Sequence, residues 1–148
     1  MQRYLGKLSG PLLDRIDLHV TVSRVSFDEL VDVAPATETS ATVRERVEAA
    51  RARQAQRFSS SGAMASSAPT HGACTNAAIP AAAVRRLCPL DPAALALLES
   101  AVTRGALSAR AFDRIARVAR TIADLAAAER IGREHVAEAL VYRGLQPR

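Results

Sequence analysis

The stretch from Leu107 to Leu125, LSARAFDRIARVARTIADL, limits the fold more than any other, because it joins a start signal, an apolar stripe and a basic face. Ser108 carries a hydroxyl able to accept from an orphan amide of a first helical turn, and Leu107 stands where it can staple onto Phe112. Phe112, Ile115, Val118 with Ala119, Ile122, and Leu125 with Ala126 recur at helical spacing and predict one buried stripe. Arg110, Arg114, Arg117 and Arg120 share the opposite face. Asp113 with Arg117, and Arg120 with Asp124, are spaced i,i+4, a pairing that contributes a few tenths of a kcal/mol on a helix surface. Arg110 and Arg114 have no such partner, so they are the arginines most available to a phosphate or another chain.

A helix of this kind needs a covering, and the composition says what kind. The chain has 148 residues, 49% of them hydrophobic and only 3% aromatic, enough for one core filled by Ala, Leu, Val and Ile. Small side chains favour closely packed helices. The net charge of +5 and pI near 10.2 would ordinarily point to nucleic acid. Lys7 is the only lysine, however, and arginine abundance beside so much alanine reads as composition bias rather than a selected basic surface. No apolar run is long enough to span a bilayer and the N-terminus lacks a signal-like apolar segment, so a cytoplasmic protein without membrane attachment is expected. Cys74 and Cys88 are too few for a disulfide scaffold. His71 and Cys74 have ligand-like spacing, but with no second pair nearby no metal site is expected.

Before the long helix, the chain reads in three parts. Ser9-Gly10-Pro11 opens a short helix to about Arg15, followed by Asp17 to Val22, where Leu18, Val20 and Val22 alternate with polar residues as in a half-buried strand. No second convincing strand follows. An isolated strand leaves its backbone groups unpaired, so two readings stay open: a sheet supplied by residues preceding this chain, or a short, frayed strand. Ser26 to Leu30 has the spacing of one capped turn, with Glu29 three residues after Ser26. Residues 33–39 read as a linker. A helix is predicted from about Ala41 to Phe58, capped by Ser40 or Thr42, with Val43, Val47 and Ala50 inward and its Arg and Glu residues in solvent. Residues 59–73, rich in Ser, Ala and Gly, show no period.

From Ile79 onward the pattern is helical. Pro80 opens a helix through Leu87, and Asp91 with Pro92 supplies N-cap and N1 of the next, whose stripe is Leu95, Leu98 and Val102. Gly105 suits a left-handed C-cap, and after a break at Gly132 a last helix turns Val136, Ala139 and Leu140 inward. The predicted fold class is mainly α. It consists of a C-terminal four-helix bundle (79–148), a long insert helix with a loop (26–78) and an orphan strand segment (1–25).

Catalytic machinery is sparse. There is no GxxxxGK[ST] phosphate loop and no acidic pair after a strand to hold magnesium, so this chain alone should not hydrolyse ATP. His19, His71 and His135 stand apart from any nucleophile motif and read as structural or exposed. Arg15, at the end of a short helix before the strand, could stabilise a transferring phosphoryl group of another subunit, or could pair with Asp14 or Asp17. Arg110, in a first helical turn where free amides favour anions, could meet a phosphate or remain solvated.

Four segments then carry a resemblance: Ser9 through His19 (SGPLLDRIDLH), Asn76-Ala77, Leu107 through Leu125, and His135 through Arg143 (HVAEALVYR). Together they resemble the C-terminal part of the ComM/YifB family of magnesium-chelatase-like AAA+ ATPases, over nearly the whole chain apart from residues 59–73. The resemblance implies an arginine finger at Arg15 acting across a subunit boundary, and a sensor 2 arginine at Arg110, with Arg114 a weaker nucleotide contact. It implies that the helix from Ala41 is the insert that precedes sensor 2, and that the four later helices are the lid. It further implies ATP and Mg2+ as cofactors of a longer parent, none being bound by this chain alone. The partners implied are an N-terminal AAA+ core, neighbouring subunits of a ring, a hexamer by family analogy, and branched DNA in recombination or transformation. A second reading, from another class, is a stand-alone basic helical module binding nucleic acid through Arg110, Arg114 and Arg117.

Overall fold

The computed structural model describes residues 16–25, 27, 31, 38–60, 75–104, 107 and 109–144, with backbone alone for Ala109 and Arg110. Helix α1 spans Ser40–Ser60, a 3-10 turn η1 spans Asn76–Ala78, α2 spans Ala81–Leu87, α3 spans Pro92–Thr103, α4 spans Ala109–Leu125 and α5 spans Arg133–Val141. The mainly α fold class holds. Helix α4 packs against every other one of these elements, and α3 and α5 close the bundle against each other.

Local chemistry explains most of the boundaries. Asp91 caps α3 by accepting from the Ala94 amide at 2.6 Å, with Pro92 at N1 where no amide is needed. Thr39 caps α1, its Oγ1 accepting from the Thr42 amide at 3.2 Å, in place of the expected Ser40 or Thr42. At the end of α4 the amide of Ala128 reaches back to the Ala123 carbonyl at 2.8 Å and that of Ala127 to Asp124 at 3.2 Å. Ala127 adopts φ of 59°, the left-handed cap conformation that glycine usually supplies. Its strain is offset by the Arg120 guanidinium, which donates to the carbonyls of Ala128 at 2.6 Å and Glu129 at 2.8 Å. A parallel bridge between Leu90 and Ile131 then clamps the entry of α3 to the entry of α5.

The core is small-residue packing, as the composition requires. Ala111, Ile115, Ala116, Ala119 and Ala123 of α4 are buried against Val136, Ala139 and Leu140 of α5 and Ala94, Leu97, Leu98 and Ala101 of α3, in one cluster. The expected inward face of α5 is the observed one. On α3 the stripe is displaced: Leu98 is buried, but Leu95 and Val102 are exposed, and Leu97 with the alanines takes the inner face. On α4 the stripe is likewise shifted towards the alanines, leaving Phe112, Val118 and Ile122 half-buried and Leu125 exposed.

Two further expectations change. Among the described residues no β ladder forms over Asp17 to Val22, where Leu18, Val20 and Val22 are exposed; a strand needs a neighbour to pair with, and none is present among them. The insert helix α1 forms as predicted, and of its expected inner face Ala50 alone is buried. Val43 and Val47 remain 37% and 41% exposed, whereas Ala50, Gln54 and Phe58 are covered. The predicted helix at Pro11 to Arg15, the caps at Ser108 and Gly105, and His71 with Cys74 lie outside the described residues, as does most of the turn at Ser26 to Leu30.

Candidate functional site

Helix α4 carries the residues singled out from sequence, and the arginines along it meet four different environments. Leu107 is buried just ahead of the helix, as a staple residue should be. Arg110 sits in the first turn of α4, where free amides and the positive dipole end gather, with its side chain outside the described residues. One turn on, Arg114 is mostly buried, with Nη1 3.4 Å from Asp17 Oδ1. Arg117 is half-buried and its Nε has no hydrogen-bond partner among the described residues. No ion pair with Asp113 is present among the described residues, so the expected i,i+4 pair is not formed. Arg120 is fully buried.

Arg15 lies outside the described residues, but the segment that follows it is held in place. Arg143 Nη1 donates to the Ile16 carbonyl at 2.7 Å, and the His19 amide donates to the Tyr142 carbonyl at 2.7 Å. With the Asp17 to Arg114 pair, these contacts fasten residues 16–19 along α4 and the end of α5.

The cluster that sequence reasoning missed lies at the other end of α4. Asp124 is wholly buried and its carboxylate is shared: Arg57 of α1 donates from both terminal nitrogens, to Oδ2 at 3.0 Å and in a close pair to Oδ1. Arg120 donates from Nε to Oδ1 at 3.1 Å, and Asn76 Nδ2 to Oδ2 at 2.8 Å. Asn76 also accepts from Arg57 Nη1 at 2.9 Å, and its backbone N–H donates to Gln54 Oε1 at 3.3 Å. Arg53 adds a bond to the Asp124 carbonyl at 3.3 Å. Burial pushes the Arg120 guanidinium below its ordinary pKa, and the attraction of Asp124 opposes that fall. Sequence spacing did pair Arg120 with Asp124, as a surface pair worth a few tenths of a kcal/mol. Burial makes it part of a network whose partners stand 67 residues apart. The signal available beforehand was Asn76, one of the residues that carry the family resemblance.

Nearby Cys88 is a packed thiol. Burial raises it to about 11 against the pull of Arg120, Arg57 and Arg117, so it stays protonated and poorly nucleophilic at neutral pH. Among the described residues no group of three or more His, Cys, Asp or Glu side chains could hold a metal, and no helix is long and apolar enough to cross a membrane. His135 is structural: buried, it accepts the Gly132 amide on Nδ1 at 2.9 Å and so closes the start of α5.

Residues 37–143, covering α1 to α5, match the family model for the C-terminal part of magnesium chelatase subunit ChlI, and residues 1–30 match the model for the subunit itself. This chain belongs to the magnesium chelatase family. Within it, the chain is 37% identical over 98% of its length to competence protein ComM of Haemophilus influenzae, and 36% identical over 97% to the YifB protein of Escherichia coli. An uncharacterized protein of Mycobacterium tuberculosis shares 42% identity over 96% of the chain. In each case the chain spans 26% of the relative's length. The chelatase C-terminal segment therefore includes both α1 and the bundle, the two parts that the Asp124 network joins.

Proposed function

We propose that this chelatase-family chain is the arginine finger, sensor 2 and lid portion of an ATP-driven AAA+ ring machine, working with a nucleotide-binding core that supplies the phosphate loop. The observation that supports this most is the match of residues 37–143 to the C-terminal chelatase model, with the sequence Ser108-Ala109-Arg110 inside it. In this reading Arg110 in the first turn of α4 reports on the nucleotide's phosphates, assisted by the amide-rich helix end, and Arg114 contributes more weakly. Arg15 would reach the γ-phosphate held by a neighbouring subunit and stabilise charge that develops on the transferring phosphoryl group. ATP and Mg2+ would be bound mainly by the core. A hexameric ring, branched DNA as the polymer acted upon, and a cytoplasmic setting complete the proposal, with the role of ComM as a competence protein, by its name, supporting the DNA role.

The test is ATP turnover in a polypeptide that joins this chain to its nucleotide-binding core. Arg15→Ala should abolish turnover while leaving nucleotide binding near its original strength. Undiminished turnover would refute the finger assignment.

The alternative nucleic-acid module loses ground on geometry. It needs Arg114 and Arg117 free on one face, yet Arg114 is paired with Asp17 and Arg117 is half-buried.

A further inference from the structure

Between the segment at Asp17 to Val20 and helices α4 and α5 lies a cavity of about 490 Å³. Its walls are apolar, formed by Leu18 and Val20 on one side and Val118, Ile122 and Leu125 on the other, while Arg114 and Arg117 reach it from α4. That volume falls in the range of small-molecule sites, which combine apolar walls with a few convergent polar groups.

The polar groups are what give the cavity a preference. Among the described residues the buried Arg117 Nε has no hydrogen-bond partner, and Arg114 Nη1 has none either, although it approaches Asp17. A buried donor left unsatisfied costs free energy that an incoming acceptor would recover, more so when donor and acceptor carry opposite charge. The acids in the lining are already engaged: Asp17 with Arg114, and Glu138 as acceptor for the Tyr142 hydroxyl at 3.4 Å. Among the described residues Arg117 is therefore the uncompensated charge of the cavity. It stands seven residues after Arg110, roughly 10 Å along the helix.

We propose that this cavity binds a small amphipathic anion, an apolar body that fills the space beside Val118, Ile122 and Val20 and carries one carboxylate, sulfonate or phosphate group met by Arg117. The site shares Arg114 with the nucleotide reading but not Arg110, and it does not depend on that reading. An apolar compound without the anion would leave Arg117 Nε unsatisfied, and a bare anion would leave the walls wet.

The test uses the whole chain and anilinonaphthalene sulfonate as the probe, with octanoate, inorganic phosphate and ATP as competitors. Expected is saturable binding of one equivalent, displaced by octanoate but not by the same concentration of phosphate or ATP. Arg117→Leu should weaken it about tenfold or more, because a charge-assisted hydrogen bond is lost. The same change removes an unsatisfied buried donor, so its urea midpoint should hold or rise. Val20→Asp, at a residue 69% exposed and not needed for the bundle, should also weaken binding. Absence of saturable binding, binding as strong in either variant as in the parent chain, or displacement by phosphate or ATP at that concentration would overturn the proposal.

Discussion

Helix α4 is packed in two contrasting ways. Towards α3 and α5 its contacts are alanine, isoleucine and leucine, with Ala119 and Ala123 fully buried. Towards α1 the contact turns on a carboxylate, Asp124, bonded to Arg57, Arg120 and Asn76. Apolar packing is roughly proportional to area and tolerates small readjustments. A buried charged network is steep by comparison: fully satisfied it specifies one geometry, and with a partner removed it leaves a charge stranded in low dielectric. The bundle is therefore held by area and the insert helix by a specific set of hydrogen bonds. The N-terminal half of α1, exposed from Ser40 to Ala49, adds little to that hold.

The contrast can be broken most severely at its polar centre. Asp124→Ala strands Arg120 and Arg57 together, and urea unfolding should show a loss of about 3–5 kcal/mol. On the apolar side, Leu98→Ala opens a cavity at a fully buried position, with an expected loss of about 2–5 kcal/mol by the same measurement. Hydrogen exchange should separate the two, with α1 amides deprotected far more by the first change than by the second. Cys88 sharpens the comparison by chemistry. In a Cys74→Ser background, its thiol, raised to about 11, should resist iodoacetamide at pH 8 in the native protein and react on unfolding. The smallest effect belongs to Val47→Ser, on the undocked stretch of α1, which should change stability by no more than about 0.5 kcal/mol.

Legibility in the sequence followed the range of the interactions. Asp91 with Pro92, the extent of α1 and the inner face of α5 are written in residues a few positions apart, and all three are found as read. The faces of α1 and α3 follow the expectation only at Ala50 and Leu98, because hydrophobic period assumes that the largest apolar residues go inside. Here Val43, Val47, Leu95 and Val102 stay outside, and alanines let helices approach closely enough that Gln54 and Arg57 take part in the contact. Arg120 shows the same limit. Its spacing to Asp124 is local, but the burial that changes its meaning depends on Arg57 and Asn76, which no local pattern links to α4. The alternation over Asp17 to Val22 was legible as strand-like, whereas ladder formation depends on a neighbour that the segment cannot specify.

A double-mutant cycle between Arg57 and Asp124, read by urea unfolding, tests the docking of α1 most directly. Arg57→Leu, Asp124→Asn and the double variant should reveal a coupling of about 1–3 kcal/mol, with α1 already deprotected in either single variant. Additive losses with no coupling, or α1 amides as protected as in the parent chain, would contradict a helix held to the bundle through one shared carboxylate.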